Sequence, residues 1–192
     1  MQKIKKVIDK YFDFIDEIDG NSFIEDLIPE LMLNTTKPAK YEGTRFWTAI
    51  DSTIGQKEIK ELSAYFGHQL PNSYQFFLQY RHFIELQLGI DSFNFFKNLP
   101  NTLVEDTIEE IEDYYPGLID KNYIPFARKS DHGVFCFDAN GITQNANYSI
   151  VSFDQEDDLS SPKKHSTSFE LLFVEFEAHL DDWINTKRNQ NS

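Results

Sequence analysis

Over residues 2–19, Ile4, Val7, Ile8, Tyr11, Phe12, Ile15 and Ile18 recur every three or four positions. That spacing lays them along one stripe of a helix, and Gly20-Asn21 ends it. A second amphipathic helical piece is predicted from Ser22 to about Leu33, with Phe23, Leu27, Ile28 and Leu31 apolar and Pro29 bending or breaking it. Residues 34–43, rich in Thr, Lys and Pro, read as a linker. Two apolar stripes favour a helical brace packed on the remainder of the chain over a separate partner-binding arm. Phe46 to Ile50 leads into the main domain. There Thr53-x-x-Gln56 has the form of a capping box ahead of a helix presenting Ile59, Leu62 and Phe66. Pro71 at a first helical position, where its missing N–H costs nothing, opens another helix carrying Tyr74, Phe77, Leu78 and Arg81 at helical spacing.

The period then changes. From Phe83 to Phe96, Ile84, Leu86, Leu88 and Ile90 alternate with Glu85, Gln87 and Gly89, which predicts the first strand of a sheet. Residues 101–115 return to helical spacing, with Leu103, Thr107, Ile108, Ile111 and Tyr115 inward. Their outer face, Glu105, Asp106, Glu109, Glu110, Glu112 and Asp113, is a negative ridge, and Pro116-Gly117 stops the helix. Strands succeed one another at Tyr123, Gly133 and Tyr148, joined by connections short enough for a mainly antiparallel sheet. The last helix, behind a capping box at Thr167-x-x-Glu170, buries Phe169, Leu172, Phe173, Phe176, Leu180, Trp183 and Ile184. The resulting fold class is α+β, a mainly antiparallel sheet flanked by helices with an N-terminal helical extension.

Composition sharpens this picture. With 40% hydrophobic and 26% charged residues, the chain of 192 residues belongs among globular proteins with one well-filled core. Eighteen phenylalanines against eight glycines predict a core of large aromatic rings. No apolar run approaches a membrane span and no signal peptide is recognisable, so a cytoplasmic location is expected. The single cysteine, Cys136, lies in an alternating strand and reads as a small buried apolar residue. A formal charge of -14 repels nucleic acid and membrane phosphates and attracts basic proteins, unless it serves solubility alone.

Five short motifs in a fixed order carry a resemblance. Phe66-Gly67 precedes Leu70-Pro71-Asn72-Ser73-Tyr74-Gln75-Phe76-Phe77-Leu78; Ile124-Pro125-Phe126-Ala127 precedes Gly133 to Asp138; Ser149 to Asp154 comes next; and Ser168-Phe169-Glu170 opens the last helix. In these, roughly over residues 50–187, the chain resembles the SUKH superfamily. It departs after the Leu-Pro helix, where Tyr80-Arg81-His82-Phe83 replaces the Asn-Gly-Gly-like turn common in the family, so no loop residue is carried over from it. The resemblance implies a binding module: bacterial members are commonly immunity proteins that neutralise a co-encoded toxin delivered between cells, and eukaryotic relatives act in cell-wall and signalling regulation. It also frames the organisation expected here: residues 1–45 as extension and linker, 46–187 as the SUKH-like domain, and 188–192 as a tail.

Candidate chemistry is sparse. Asp131-His132-Gly133 with Asp138 sets an imidazole near carboxylates, as a general base requires, but neighbours in sequence point apart and no nucleophile stands beside them, so a solvated loop fits better. The five histidines show no zinc-ligand spacing. Asp138-x-Asn140-Gly141 begins like a calcium loop, but Thr143 and Ser149 stand where that loop needs glycine and glutamate, which leaves a hairpin turn. No glycine-rich phosphate cradle occurs, and neither a cofactor nor a metal is expected.

The functional expectation is therefore a non-enzymatic immunity protein whose partner is a cognate, basic toxin, a nuclease being one class that fits, with no direct nucleic acid or membrane contact. Its contact residues would be Asp131, His132, Asp138, Asp154, Glu156, Asp157 and Asp158 around the strand ends, with Glu109 and Glu112 from the acidic helix. The stretch Asp154 to Asp158 is either such a contact or simply a solvated loop; Lys163, Lys164 and His165 just beyond it weaken its field. Residues 34–43, 82–91 and 159–166 are the expected variable contact loops. The alternatives are a small hydrolase or ligand-binding enzyme with a groove between sheet and C-terminal helix, lined by Tyr74, Trp47, His82, His132 and Asp138, and a regulatory scaffold.

Overall fold

A computed structural model describes residues 1–89, 93–129, 133–141, 146–154 and 161–190. The fold is α+β. Strands β5 (Gln87–Leu88), β6 (Phe93–Phe95), β7 (Tyr123–Lys129), β8 (Gly133–Asp138), β9 (Ser149–Asp154) and β10 (Lys163–Ser166) form one antiparallel sheet in the order β10-β9-β8-β7-β6-β5. Each strand pairs with its neighbour in the chain, so the sheet has meander order, with one long connection, residues 96–122, between β6 and β7. Two small two-stranded sheets stand beside it, β1 (Ser22–Ile24) with β2 (Thr44–Phe46), and β3 (Ile50–Asp51) with β4 (Arg81–His82).

Helices cover both faces. On one, α3 (Asn72–Leu78) and α5 (Phe169–Gln190) bring Tyr74, Phe169 and Phe176 against Phe93, Phe126 and Phe137 of the sheet, with ring centroids 5.1–5.9 Å apart. Most of these rings meet tilted or edge-on, the arrangement their quadrupoles prefer, which is how a phenylalanine-rich core packs densely. On the other face, α4 (Leu103–Tyr114) lies across β7 and β8, where Tyr115 donates from its hydroxyl to the Gly133 carbonyl at 3.4 Å and Arg128 grips Glu110. Helix α2 (Gln56–Phe66) packs beside α4.

The N-terminal helix α1 (Gln2–Glu17) does not stand apart: Ile4, Val7, Ile8, Tyr11 and Phe14 are buried in the same core. It runs along α5, stacking Tyr11 on Trp183 and pairing Lys3 and Lys6 with Glu177, Lys10 with Asp181, and Glu17 with Arg188. The predicted stripe thus acts as a brace.

Several local expectations are corrected. Helix α3 ends at Leu78, with Pro71 as its N-cap and not its first residue, and Arg81 lies beyond it in β4, drawn there by pairing with Asp51. Residues 22–33 are not a helix but β1 and two single 3-10 turns, because Ser22–Ile24 finds a strand partner in Thr44–Phe46 and Pro29 separates the two turns. The alternating run 83–96 is not one strand but a hairpin, turned at Gly89 with φ of 81° while Ile90 falls outside the described residues; His82, at its start, pairs in the separate β3–β4 sheet. Thr53 does not cap α2. Its backbone N–H and hydroxyl turn to the His82 ring, and Glu58 reaches back instead to the N–H of Gly55, the true N-cap. The cap of α5 is Ser168, whose hydroxyl accepts the Leu171 N–H at 3.2 Å, not Thr167. Finally, Lys163–Ser166 forms edge strand β10 on β9, not a loop.

Candidate partner-binding surface

Helix α4 presents its carboxylates in two groups. Periodicity turns Asp106 and Glu110 toward the sheet, where Lys97 meets Asp106 at 2.8 Å and Arg128 holds Glu110 with two nitrogens. Glu105, Glu109, Glu112 and Asp113 point outward, exposed, and make no ion pair with another described residue. Glu109 and Glu112 therefore stand where the sequence placed them, on an uncompensated negative face. Acids in the first turn, Glu105 and Asp106, also favour the helix through its dipole.

The strand-end candidates divide. Asp138 accepts the backbone N–H of Asn140 at 3.1 Å and its side-chain amide at 3.0 Å, so its carboxylate fastens the turn after β8. Asp154 lies between Lys129 at 2.7 Å and Lys163 at 2.6 Å. Hydrogen bonds from those two ammonium groups, Lys129 first, hold its carboxyl down at about 2. It is ionised and already partnered within the chain. Asp131, His132, Glu156, Asp157 and Asp158 lie outside the described residues.

Of the residues considered for an enzyme groove, His132 lies outside the described residues, and Trp47, Tyr74, His82 and Asp138 do not converge on one. Trp47 and Tyr74 are 1% and 5% exposed, and the space between sheet and α5 is filled by phenylalanine rings. His82, expected on a variable loop, is completely buried. Its Nε2 accepts the Thr53 N–H at 2.9 Å, which puts the ring proton on Nδ1, facing the Asn98 carbonyl and Oδ1 at 3.1 Å each. Burial pushes the imidazole below its ordinary value despite the Asn98 contacts. Asn98, also completely buried, donates to the Leu78 and Arg81 carbonyls at 2.8 and 2.9 Å. This is a structural knot joining β4, α3 and the segment before α2. Among the described residues, no three His, Cys, Asp or Glu side chains gather as a metal site would need, and no helix is long and apolar enough to cross a membrane.

A concave feature adjoins the sheet-facing side of α4, beside Asp106 and Glu110. A groove of about 640 Å³ runs between the 23–29 segment and the β6–α4 region. Leu27 is 56% exposed along one wall, opposite Ile84 and Phe96, and Asp26 and Glu85 stand on its margins. Apolar surroundings raise the Glu85 carboxyl above its ordinary range. Neither Asp26 nor Glu85 stands out in the sequence; the one trace is Glu85 on the polar side of an alternating run.

No curated protein matches the chain. The sequence model of the SMI1 / KNR4 family (SUKH-1), by contrast, matches residues 53–175, from just before α2 into α5. That span takes in α2 to α4 and strands β4 to β10, the motifs Leu70-Pro71 and Ile124-Pro125-Phe126-Ala127 included, and the meander built on them. On this match over more than half its length, the chain belongs to the SMI1 / KNR4 (SUKH-1) family.

Proposed function

We propose that the chain is a cytoplasmic immunity protein that neutralises a cognate basic toxin, possessing no reaction of its own and acting by laying its negative exterior over the toxin's active site. The observation that carries this reading is the outer face of α4. Glu105, Glu109, Glu112 and Asp113 hold four exposed carboxylates on one rigid helix with no ion pair to another described residue. A cleft that binds phosphate-rich or other anionic substrates must be cationic, so a surface of this kind competes for it and accelerates encounter from a distance. A net charge of -14 adds a long-range field of the same sign. Family membership supports the reading, because binding modules of this type act through surfaces. A nuclease is the toxin class that best fits the charge.

The test begins with the product of the reading frame immediately upstream. Co-expression is expected to protect cells from that product, and the two proteins are expected to co-purify. Their association rate should fall by about tenfold or more between roughly 50 and 500 mM salt, since exposed charges are screened over about a Debye length. A salt-independent rate would remove the electrostatic mechanism, and failure of protection would remove the immunity role.

A further inference from the structure

Six charged side chains line the groove beside α4: Asp26, Glu85, Lys97, Asp106, Glu110 and Arg128. Both cations are already engaged, Lys97 by Asp106 and Arg128 by Glu110. Asp26 and Glu85 have no ion pair among the described residues, so the groove carries two uncompensated negative charges beside an apolar floor. That floor is unusual for a surface. Leu27 is 56% exposed on one wall, and Phe95, Phe96 and Ile84 close the opposite side. Exposed apolar side chains contiguous with a groove mark contact surfaces more often than isolated ones do.

From this juxtaposition we infer that the groove is a docking site for a polypeptide segment that inserts an apolar side chain against Leu27 and Ile84 and sets a lysine or arginine against Asp26 and Glu85. The inference rests on the reading that the chain works by covering another polypeptide, and it specifies where that polypeptide is gripped. Glu85 decides the chemistry. Its carboxylate stands exposed on the groove margin with no ion pair among the described residues, and a purely apolar occupant would strip its water and leave the charge stranded. A cation on the occupant supplies the missing partner. Charge argues in the same way against a second copy of this chain, which would bring another -14 toward the same face. The 23–29 wall is held firmly: Ser22–Ile24 is paired with Thr44–Phe46, and Ile28 is buried, so little ordering is needed on docking.

The probe is a synthetic 12-residue peptide of alternating leucine and lysine, used with the full-length protein. Two twins accompany it, one with glutamate for lysine and one with serine for leucine. Backbone amide shifts are expected to move at Asp26, Leu27, Glu85, Asn94 and Lys97 with the parent peptide, and both twins are expected to bind at least tenfold more weakly. Glu85→Gln and Leu27→Ser alter exposed side chains and should leave folding intact; each is expected to weaken the parent peptide at least fivefold, whereas Asp182→Asn, exposed on α5 and outside the groove lining, leaves it unchanged. Shifts confined to Glu105, Glu109 and Glu112, or equal binding of the serine twin, would overturn the inference by showing charge attraction alone. The two proposals fail separately. If the upstream product is neutralised equally by the wild type and by Glu85→Gln and Leu27→Ser, the groove is refuted and immunity stands. If the peptide seats in the groove but no protection occurs, the groove stands and immunity falls.

Discussion

Replacing Asn98 with alanine cuts three hydrogen bonds at a site fully closed to water: those from Nδ2 to the Leu78 and Arg81 carbonyls and the one between Oδ1 and the His82 ring. Two of the abandoned groups keep a second partner, because the Ser52 hydroxyl also donates to the Leu78 carbonyl and the Asn98 backbone carbonyl still faces Nδ1. The full penalty for stranded polar groups is therefore avoided at those two. Counting about 1 kcal/mol for each lost bond gives a destabilisation of about 3 kcal/mol. For a chain of this size that corresponds to a fall in Tm of roughly 6–12 °C. Urea unfolding followed by the fluorescence of Trp47 and Trp183 measures it, and the slope with denaturant should stay constant while the midpoint drops. A loss below about 1 kcal/mol at unchanged slope would refute the assignment of Asn98 as the centre of this knot. The pH dependence supplies a second reading. His82 is held below its ordinary value of 6.5 by burial, so below that pH the unfolded chain takes up a proton that the folded chain refuses. Its contribution is complete above about pH 6.5 and declines as the pH is lowered toward the depressed folded value. His82→Gln should flatten that part of the stability profile.

Gly89 combines a positive φ of 81° with a neighbour in the way: an added Cβ would lie 2.7 Å from Phe176 of α5, whereas at Gly117, with φ of 80°, nothing lies within 4 Å. Gly117→Ala is expected to cost about 1 kcal/mol from its backbone alone, and Gly89→Ala about 2 kcal/mol or more; equal thermal shifts would show that β5 does not pack on α5 as described. The Cys136 thiol is buried and pushed up by desolvation, so a thiol reagent should label it only as fast as the protein opens globally, and rapid labelling of the native protein would contradict its place in β8. Asp154 and Glu177, each clamped by two lysines, should titrate at about 2 in low salt, with ordinary carboxylate values returning in Lys129→Gln/Lys163→Gln and Lys3→Gln/Lys6→Gln variants respectively. Both are lowered groups, so their contribution to stability is present above the ordinary carboxylate range and is lost as pH falls toward about 2; carboxyl NMR across that range checks it.

Long periodic elements were legible from the chain alone. The stripes of α1, α4 and α5 repeat over three or more turns, so every residue reinforces the same helical phase, and the acidic side of α4 arises from that phase without any tertiary information. The β7–β8–β9 meander was legible too, because its strands are neighbours in sequence and rich in apolar residues. Short elements were not. Phe23, Leu27, Ile28 and Leu31 have helical spacing, yet Ser22–Ile24 pairs with Thr44–Phe46, some twenty residues on, and the spacing holds no record of that partner. Strand β10 reads Lys-Lys-His-Ser, with no apolar pattern, and exists because β9 offers an open row of backbone groups.

The candidate site divides along the same line. Its acidic character, its family and the ridge residues Glu109 and Glu112 belong to the sequence, since charge and helical phase are properties of a single segment. Which carboxylates remain unpaired was decided only by folding: Lys129 and Lys163 arrive beside Asp154, and Arg128 reaches Glu110, while Glu85 and Asp26 meet across a groove made by segments far apart in the chain. The same holds for Thr53, drawn from helix capping to a histidine 29 residues away. A lone asparagine such as Asn98 carries no periodic signal, and its importance arises from three backbone and ring partners that the fold brings to it. Local pattern encodes which surface a segment buries; the partner waiting there is a non-local contact, and its free energy appears only when the chain closes on itself.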